Sequence, residues 1–333
     1  MVTQSICVRF HETGDASVLR FDKVPLTEPG AGEVRIKVHA LGLNRAEVLL
    51  RQGLYLEKPT FPSRIGYEAS GVIDAIGEGV TGFTVGQKVS TIPCFSQTKY
   101  GVYGEHAIVP ARSLAIYPDH LTDEQAAAIW MQYLTAYGAL IQQAGLKSGQ
   151  FVLITAASSS VGFAAIQIVK REGGIAIATT RSASKRDSLL EAGADHVIVT
   201  DESDIVAECK IITRGKGVDI IFDAIAGPML VPLARAAAHE GKIYLYGALS
   251  LETTVFPFQI ALKKGLSVSG YTMFQVTEDP ERMAQGQKYV YDGLADGSLV
   301  PVIDKVFAFK KLAQAHEYME SNQQKGKIVV SVP

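Results

Sequence analysis

The stretch Gly149–Val199, GQFVLITAASSSVGFAAIQIVKREGGIAIATTRSASKRDSLLEAGADHVIV, reads as strand, tight turn, helix, strand, helix, strand. Phe151 to Thr155 is a short apolar run rich in β-branched residues, suited to a strand buried on both faces. The turn runs from Ala156 to Gly162, and Phe163 to Lys170 continues with helical periodicity. A helix starting there aims free backbone N–H groups and the positive end of its dipole at an anion. Ser158, Ser159, Ser160, Val161 and Gly162 are therefore candidates to meet a dinucleotide pyrophosphate. Only the last glycine of a G-x-G-x-x-G fingerprint is kept; Ala157 and Ser159 stand at the other two places. The second strand, Ile175 to Thr179, ends in Thr180-Arg181-Ser182, with Lys185 following. A carboxylate there would hold a ribose 2′-hydroxyl, whereas cations suit a 2′-phosphate, so the strand end points to NADP(H). An ordinary βαβ turn without ligand is the plainer alternative for the glycine-poor turn alone.

The remaining composition narrows the class. A chain of 333 residues has room for two domains. A net charge of −2 gives no electrostatic reason to expect nucleic acid or an anionic membrane as partner. Three scattered cysteines, Cys7, Cys94 and Cys209, suit a reducing compartment and no disulfide framework. No apolar run approaches the roughly twenty residues of a membrane span, and the first residues show no charged leader with an apolar stretch. The expectation is a cytoplasmic protein.

Texture changes near residue 122. Before it, short alternating segments such as Val34 to Ala40, Gly71 to Ile76 and Val85 to Thr91 are broken by Gly and Pro, as in an antiparallel β domain. From Asp123, helices and apolar strands alternate, the mark of a doubly wound parallel sheet: a helix over Glu124 to Gln143, the βαβ unit, then strands at Val218 to Phe222, Ile243 to Tyr246 and Leu266 to Tyr271. β structure returns at Val300 to Phe309 and Ile328 to Val332. The expected plan is an α/β protein: a β domain of residues 1–122 and 299–333, completed by the C-terminus, with a cofactor domain of residues 123–298 inserted.

Several short motifs, in order and spacing, resemble one family. They are Ala40-Leu41-Gly42-Leu43-Asn44-Arg45-Ala46-Glu47, Arg51-Gln52-Gly53-Leu54-Tyr55, Gly66-Tyr67-Glu68-Ala69-Ser70-Gly71, Leu134-Thr135-Ala136-Tyr137, Gly217-Val218-Asp219, and Gly247-Ala248-Leu249-Ser250. The chain resembles the medium-chain dehydrogenase/reductase superfamily over nearly its whole length, and within it the zinc-independent quinone oxidoreductase-like branch. The resemblance implies a GroES-like β domain with an inserted Rossmann domain. The altered glycine turn departs from the family, as does Leu49, where several quinone reductases have a tyrosine.

The resemblance also locates the places where zinc-bearing relatives hold their catalytic ion. Here they carry Asn44, Tyr67 and Met131, an amide, a phenol and a thioether, which do not make a zinc site. Glu68 remains, with a structural salt bridge or turn bond as its expected role. No metal is therefore expected. Without a Lewis acid, the accessible chemistry is hydride addition to a carbon conjugated with a carbonyl, with donors for the developing enolate. Tyr55 is the first candidate donor, Asn44 would bond the nicotinamide ribose or the substrate oxygen, and Tyr67 would point into the same cleft. Each tyrosine has half-buried packing as its alternative. Thr135 would bond the nicotinamide side, and Gly247, Ala248 and Ser250 complete the expected cofactor set. Arg45 and Glu47 are read as a solvent-side or structural pair.

Three function classes follow. One is an NADPH-dependent reductase of quinones or α,β-unsaturated carbonyls. Another is an enoyl-thioester reductase of fatty acid or polyketide synthesis, for which Lys263-Lys264 hints at a carrier-protein surface. The third is a non-enzymatic NADPH-binding protein. The alternation of Leu266, Ser267, Val268 and Ser269 suggests an exposed sheet edge, and in the resembled family such edges pair into a homodimer.

Overall fold

Alternating and apolar segments of the first part of the chain form seven strands: β1 (Gln4–Phe10), β2 (Leu19–Pro25), β3 (Glu33–Gly42), β4 (Glu68–Ile76), β5 (Lys88–Thr91), β6 (His106–Pro110) and β7 (Leu114–Ala115). They are seen in a computed structural model that describes residues 3–333. β1 and β2 pair as a sheet of their own, and two late strands, β14 (Ile303–Ala308) and β15 (Lys327–Ser331), join the rest in a sheet of order β14-β15-β3-β4-β5-β7, with β6 also on β3. β15 pairs antiparallel with β3, Val330 opposite Leu41, so the C-terminus completes the β unit. β3 is its spine: Val34, Ile36, Val38, Ala40 and Leu41 are all fully buried.

The inserted segment builds β8 (Phe151–Ile154), β9 (Ile175–Thr180), β10 (His196–Val199), β11 (Val218–Asp223), β12 (Ala237–Leu245) and β13 (Ser267–Gly270). These lie parallel in the order β10-β9-β8-β11-β12-β13. The chain begins at the centre, runs outward to one edge, then resumes at β11 on the other side of β8. That reversal is the switch point of a doubly wound sheet, where dinucleotides bind beyond the strand C-termini. Leu153, Ile177 and Ile221 on the strands pack with Leu230 and Leu233 of the helix Leu230–Ala236 in its core.

The single helix expected over Glu124 to Gln143 is instead three pieces: Asp123–Ala126, Trp130–Tyr137 and a π-helical turn, Gly138–Gln143. The middle piece starts afresh because Glu68 Oε1 accepts the backbone N–H groups of Trp130 at 3.0 Å and Met131 at 2.8 Å. A carboxylate on those orphan donors fixes a helix start at that point. Asp123–Ala126 packs on β3, β4 and β15. One compact unit accordingly comprises the chain through Met131 with Ile303–Pro333, and the other comprises Gln132–Val302. Among the described residues no helix is long and apolar enough to cross a membrane.

Candidate active site

In the β unit, β3 ends at Gly42 and the helix Arg45–Arg51 begins three residues later, with Asn44 at its N-cap. Glu47, three positions on, turns back so that Oε2 accepts the Asn44 backbone N–H at 2.5 Å, a capping arrangement. The Asn44 side chain faces inward. Its Nδ2 donates to Gly42 O at 3.2 Å, Glu47 Oε1 at 3.2 Å and Glu68 Oε2 at 3.1 Å, and its Oδ1 accepts from Lys327 Nζ at 2.6 Å. Lys327 also forms a salt bridge with Glu68, the structural role expected of that carboxylate. All four side chains are buried. One ammonium therefore serves two carboxylates in a dry environment, where unpaired charge is costly. Burial pushes the Glu47 carboxyl up to about 7, against the opposing pull of Lys327 and Asn44.

Glu47 is thus no partner of Arg45, as the sequence suggested. Arg45 donates instead to Met319 O at 2.8 Å and Asn322 Oδ1 at 2.6 Å. The reason is helical phase: the capping residue must turn toward the N-cap, while its neighbour two places back faces away.

Tyr67 N donates to Glu47 Oε1 at 3.2 Å, which places Tyr67 directly on this network. Its ring meets Tyr55 edge to face at 6.4 Å and Phe95 at 5.8 Å, and the two phenols are hydrogen-bonded. Burial pushes the Tyr55 phenol up to about 12 and the Tyr67 phenol further. Both are neutral O–H groups throughout the physiological range. The loop carrying Tyr55 is pinned by Glu57, which accepts from Ser96 and from Thr98 Oγ1, the latter at 2.5 Å. Asn44, Tyr67 and Met131 are thus gathered around the Glu47–Glu68 pair. Among the described residues no three His, Cys, Asp or Glu side chains are placed to hold a metal ion.

In the other unit, the turn after β8 ends at Ser159, which caps the helix Ser160–Arg171 by accepting the Gly162 N–H at 3.1 Å. A Cβ on Gly162 would stand 2.3 Å from Ala157 O, so the retained glycine is required by helix–strand packing. Ala156 takes a left-handed φ of 46° to make the turn. Lys185 Nζ reaches from beyond β9 to donate to Ser158 Oγ at 3.1 Å, which brings a cation from the strand end to the turn. Thr180 is buried, Arg181 is exposed and Ser182 bonds Ser184 Oγ at 2.8 Å. At the end of β11, buried Asp223 accepts from Thr155 Oγ1 at 2.6 Å and Ala226 N at 2.8 Å. The following loops are joined by Leu249 N to Ala224 O and Ser250 N to Ile225 O, both 3.0 Å. That bonding places Gly247, Ala248 and Ser250 at the same C-terminal end of the parallel strands as the serine turn. Thr135 is buried on its helix. Tyr246, absent from the sequence-derived set, is half-buried, stacks on Phe222 at 4.0 Å and faces Asp223 and Ser159 with its phenol. Its only sequence signal was an aromatic residue closing a strand. Lys327 was missed too, although a lysine opening the apolar run Ile328–Val332 is a recognisable anomaly.

Residues 30–119 match the family described as alcohol dehydrogenase GroES-like domain, and residues 192–330 match that described as zinc-binding dehydrogenase. Human quinone oxidoreductase is 33% identical over 311 residues, spanning 93% of this chain and 92% of that protein. The chain belongs to the medium-chain dehydrogenase/reductase superfamily. Within it, the chain falls in the zinc-independent quinone oxidoreductase-like branch. The rat synaptic vesicle membrane protein VAT-1 homolog is 31% identical, spanning 93% of this chain and 81% of that one. Among solved structures, Escherichia coli quinone oxidoreductase complexed with NADPH superposes with a TM-score of 0.91 at 27% identity, covering 98% of this chain and 99% of that one. An NAD-dependent alcohol dehydrogenase gives 0.91 at 30%, covering 98% and 100%. CurK enoyl reductase gives 0.88 at 26%, covering 99% and 100%.

Proposed function

We propose that this chain is an NADPH-dependent oxidoreductase that reduces quinones or α,β-unsaturated carbonyls without zinc. The observation that carries the reading is the hydrogen-bonded pair of neutral phenols Tyr55 and Tyr67, of which Tyr67 stands at a position where a zinc site would need a ligand and donates its backbone N–H to the buried Glu47. NADP(H) fits the residues of the other unit. The capped helix start and the three serines suit the pyrophosphate, and Lys185 with Arg181 suits the 2′-phosphate. Thr135, Thr180, Ser182, Gly247, Ala248 and Ser250 complete the set. When bound, NADPH supplies the hydride. Tyr55 then donates its Oη–H to the carbonyl oxygen that gains negative charge, and Tyr67 donates in turn to Tyr55. Asn44 spends its amide on buried partners, so in this reading it braces Tyr67 through Glu47 rather than binding substrate.

The enoyl-thioester reading draws support from the likeness to CurK enoyl reductase. Its one sequence hint weakens, because Lys264 Nζ is spent on the carbonyls of Ala234, Arg235 and Ala237. The sheet of the same unit ends in β13, and the preceding segment exposes Leu251, Val255, Phe256, Phe258 and Leu262. We read that edge as the contact of a homodimer. NADPH oxidation measured with quinones, enones, simple aldehydes and enoyl thioesters separates the readings. Turnover confined to quinones and free enones supports the first, a strong preference for thioesters supports the second, and no turnover with any acceptor rejects both.

A further inference from the structure

We propose that the Gln132–Val302 unit carries a second anion site, separate from the dinucleotide turn, that takes a small phosphorylated compound in a basic cavity at the N-terminal ends of β11 and β12. The cavity has a volume of about 220 Å³, room for a phosphate group with a substituent rather than for one water. Lys210, Lys216, Arg235, His239 and Lys264 line it, and no carboxylate does. The strands are parallel, and Val218 and Ala237 open β11 and β12. The serine turn follows the C-terminal end of β8. The two places therefore lie at opposite ends of one sheet.

A plainer reading of these cations is that they neutralise helix ends. Lys210 and Arg235 do lie in the last turns of the helices Ile205–Ile212 and Leu230–Ala236. Those ends are already satisfied by other groups. Lys264 Nζ donates to three carbonyls around the end of Leu230–Ala236, at 3.2, 2.7 and 2.6 Å. Thr213 Oγ1 donates to Cys209 O at 2.7 Å and accepts the Gly217 N–H at 2.9 Å. Lys216 is paired with Asp219 at 2.9 Å. The side chains of Lys210, Arg235 and His239 have no hydrogen-bond or ion-pair partner among the described residues. Two uncommitted cations and an imidazole around a concavity without carboxylates focus positive potential. A phosphate oxyanion offers a guanidinium two parallel hydrogen bonds and leaves acceptors for the ammonium and the ring. Burial, reinforced by Lys263, holds the Lys264 ammonium below its ordinary range, an imbalance that a bound anion relieves.

The test is calorimetric titration of the full chain with pyrophosphate at about 0.15 M chloride, where diffuse attraction is largely screened. Because the proposed dinucleotide site would also take pyrophosphate, two double variants are compared: Lys210→Ala with Arg235→Ala, and Arg181→Ala with Lys185→Ala. Both pairs lie on the unit's surface, and thermal melts check that each variant folds. The first pair should weaken one class of binding by roughly ten- to a hundredfold, the loss expected for charge-assisted hydrogen bonds. The second pair should leave that class intact. A first-pair variant that titrates like the parent overturns the proposal, as does complete loss of binding in the second. Lys210→Gln alone serves as a milder variant and should show an intermediate loss.

Discussion

Arg181 and Lys185 follow a strand end where an acidic residue would favour NAD(H), and Lys185 is already turned toward Ser158. Arg181→Ala should therefore weaken NADPH binding by about 1.5–3 kcal/mol while barely changing that of NADH, as fluorescence titration of both coenzymes would show. Equal affinity of the parent for the two would refute the assignment. Glu47 makes a prediction of opposite character. Its carboxyl ordinarily titrates near 4.5 and is raised to about 7 in the fold, so the native state holds the proton more tightly than the unfolded chain. That contribution to stability is complete below pH 4.5 and is lost as pH rises through about 7. Glu47→Gln should flatten this fall in melting temperature across the window; an unchanged slope would mean the burden lies elsewhere. His316 works in the other direction. Fully buried, with neither ring nitrogen bonded among the described residues, it is depressed from 6.5 to about 3 by burial, with Arg51 adding to the effect. Its contribution is present above pH 6.5 and lost as pH falls toward 3, so His316→Phe should move the acid unfolding midpoint downward.

Elements were legible where the pattern was local. The βαβ stretch shows its periods of two and 3.6 directly, and β8, the helix Ser160–Arg171 and β9 fall where those periods place them. The helix over Glu124 to Gln143 did not survive because its interruption depends on Glu68, a residue distant in sequence whose carboxylate captures two N–H groups. Gly138, in the π-helical turn, is a second case. A Cβ there would meet Tyr271 Oη at 2.1 Å, a contact that only the folded chain reveals. The candidate site divides in the same way. Asn44 was legible as a site residue, but Glu47 was paired with Arg45 although its place three residues after Asn44 fits a capping pair, and Lys327 reaches Asn44 from the last strand. Buried ion networks assembled from distant segments leave little trace in any single window. At the element scale, β13 ends its sheet with Val268 flanked by serines. Val268→Pro removes one backbone donor from that edge and should shift a homodimer toward monomer in light scattering at micromolar concentration. A monomeric parent would contradict the edge-pairing proposal.

For the whole molecule, the two units divide the work by the kind of charge they manage. The β unit keeps two carboxylates and one ammonium buried and presents two neutral phenols. The parallel-sheet unit gathers serines, a capped helix start and cations at the C-terminal end of its strands. Among the described residues neither unit groups three His, Cys, Asp or Glu side chains that could hold a metal ion; the hydride delivery to a conjugated acceptor proposed above draws on the first unit for O–H donors and on the second for cofactor binding. The most direct measurement is the rate of NADPH oxidation by the protein after exhaustive dialysis against a strong chelator, with a quinone and a conjugated enone as acceptors and zinc quantified in the same sample. The expected result is full activity with zinc far below one ion per chain. Activity that disappears on chelation and returns with added zinc would contradict the central claim.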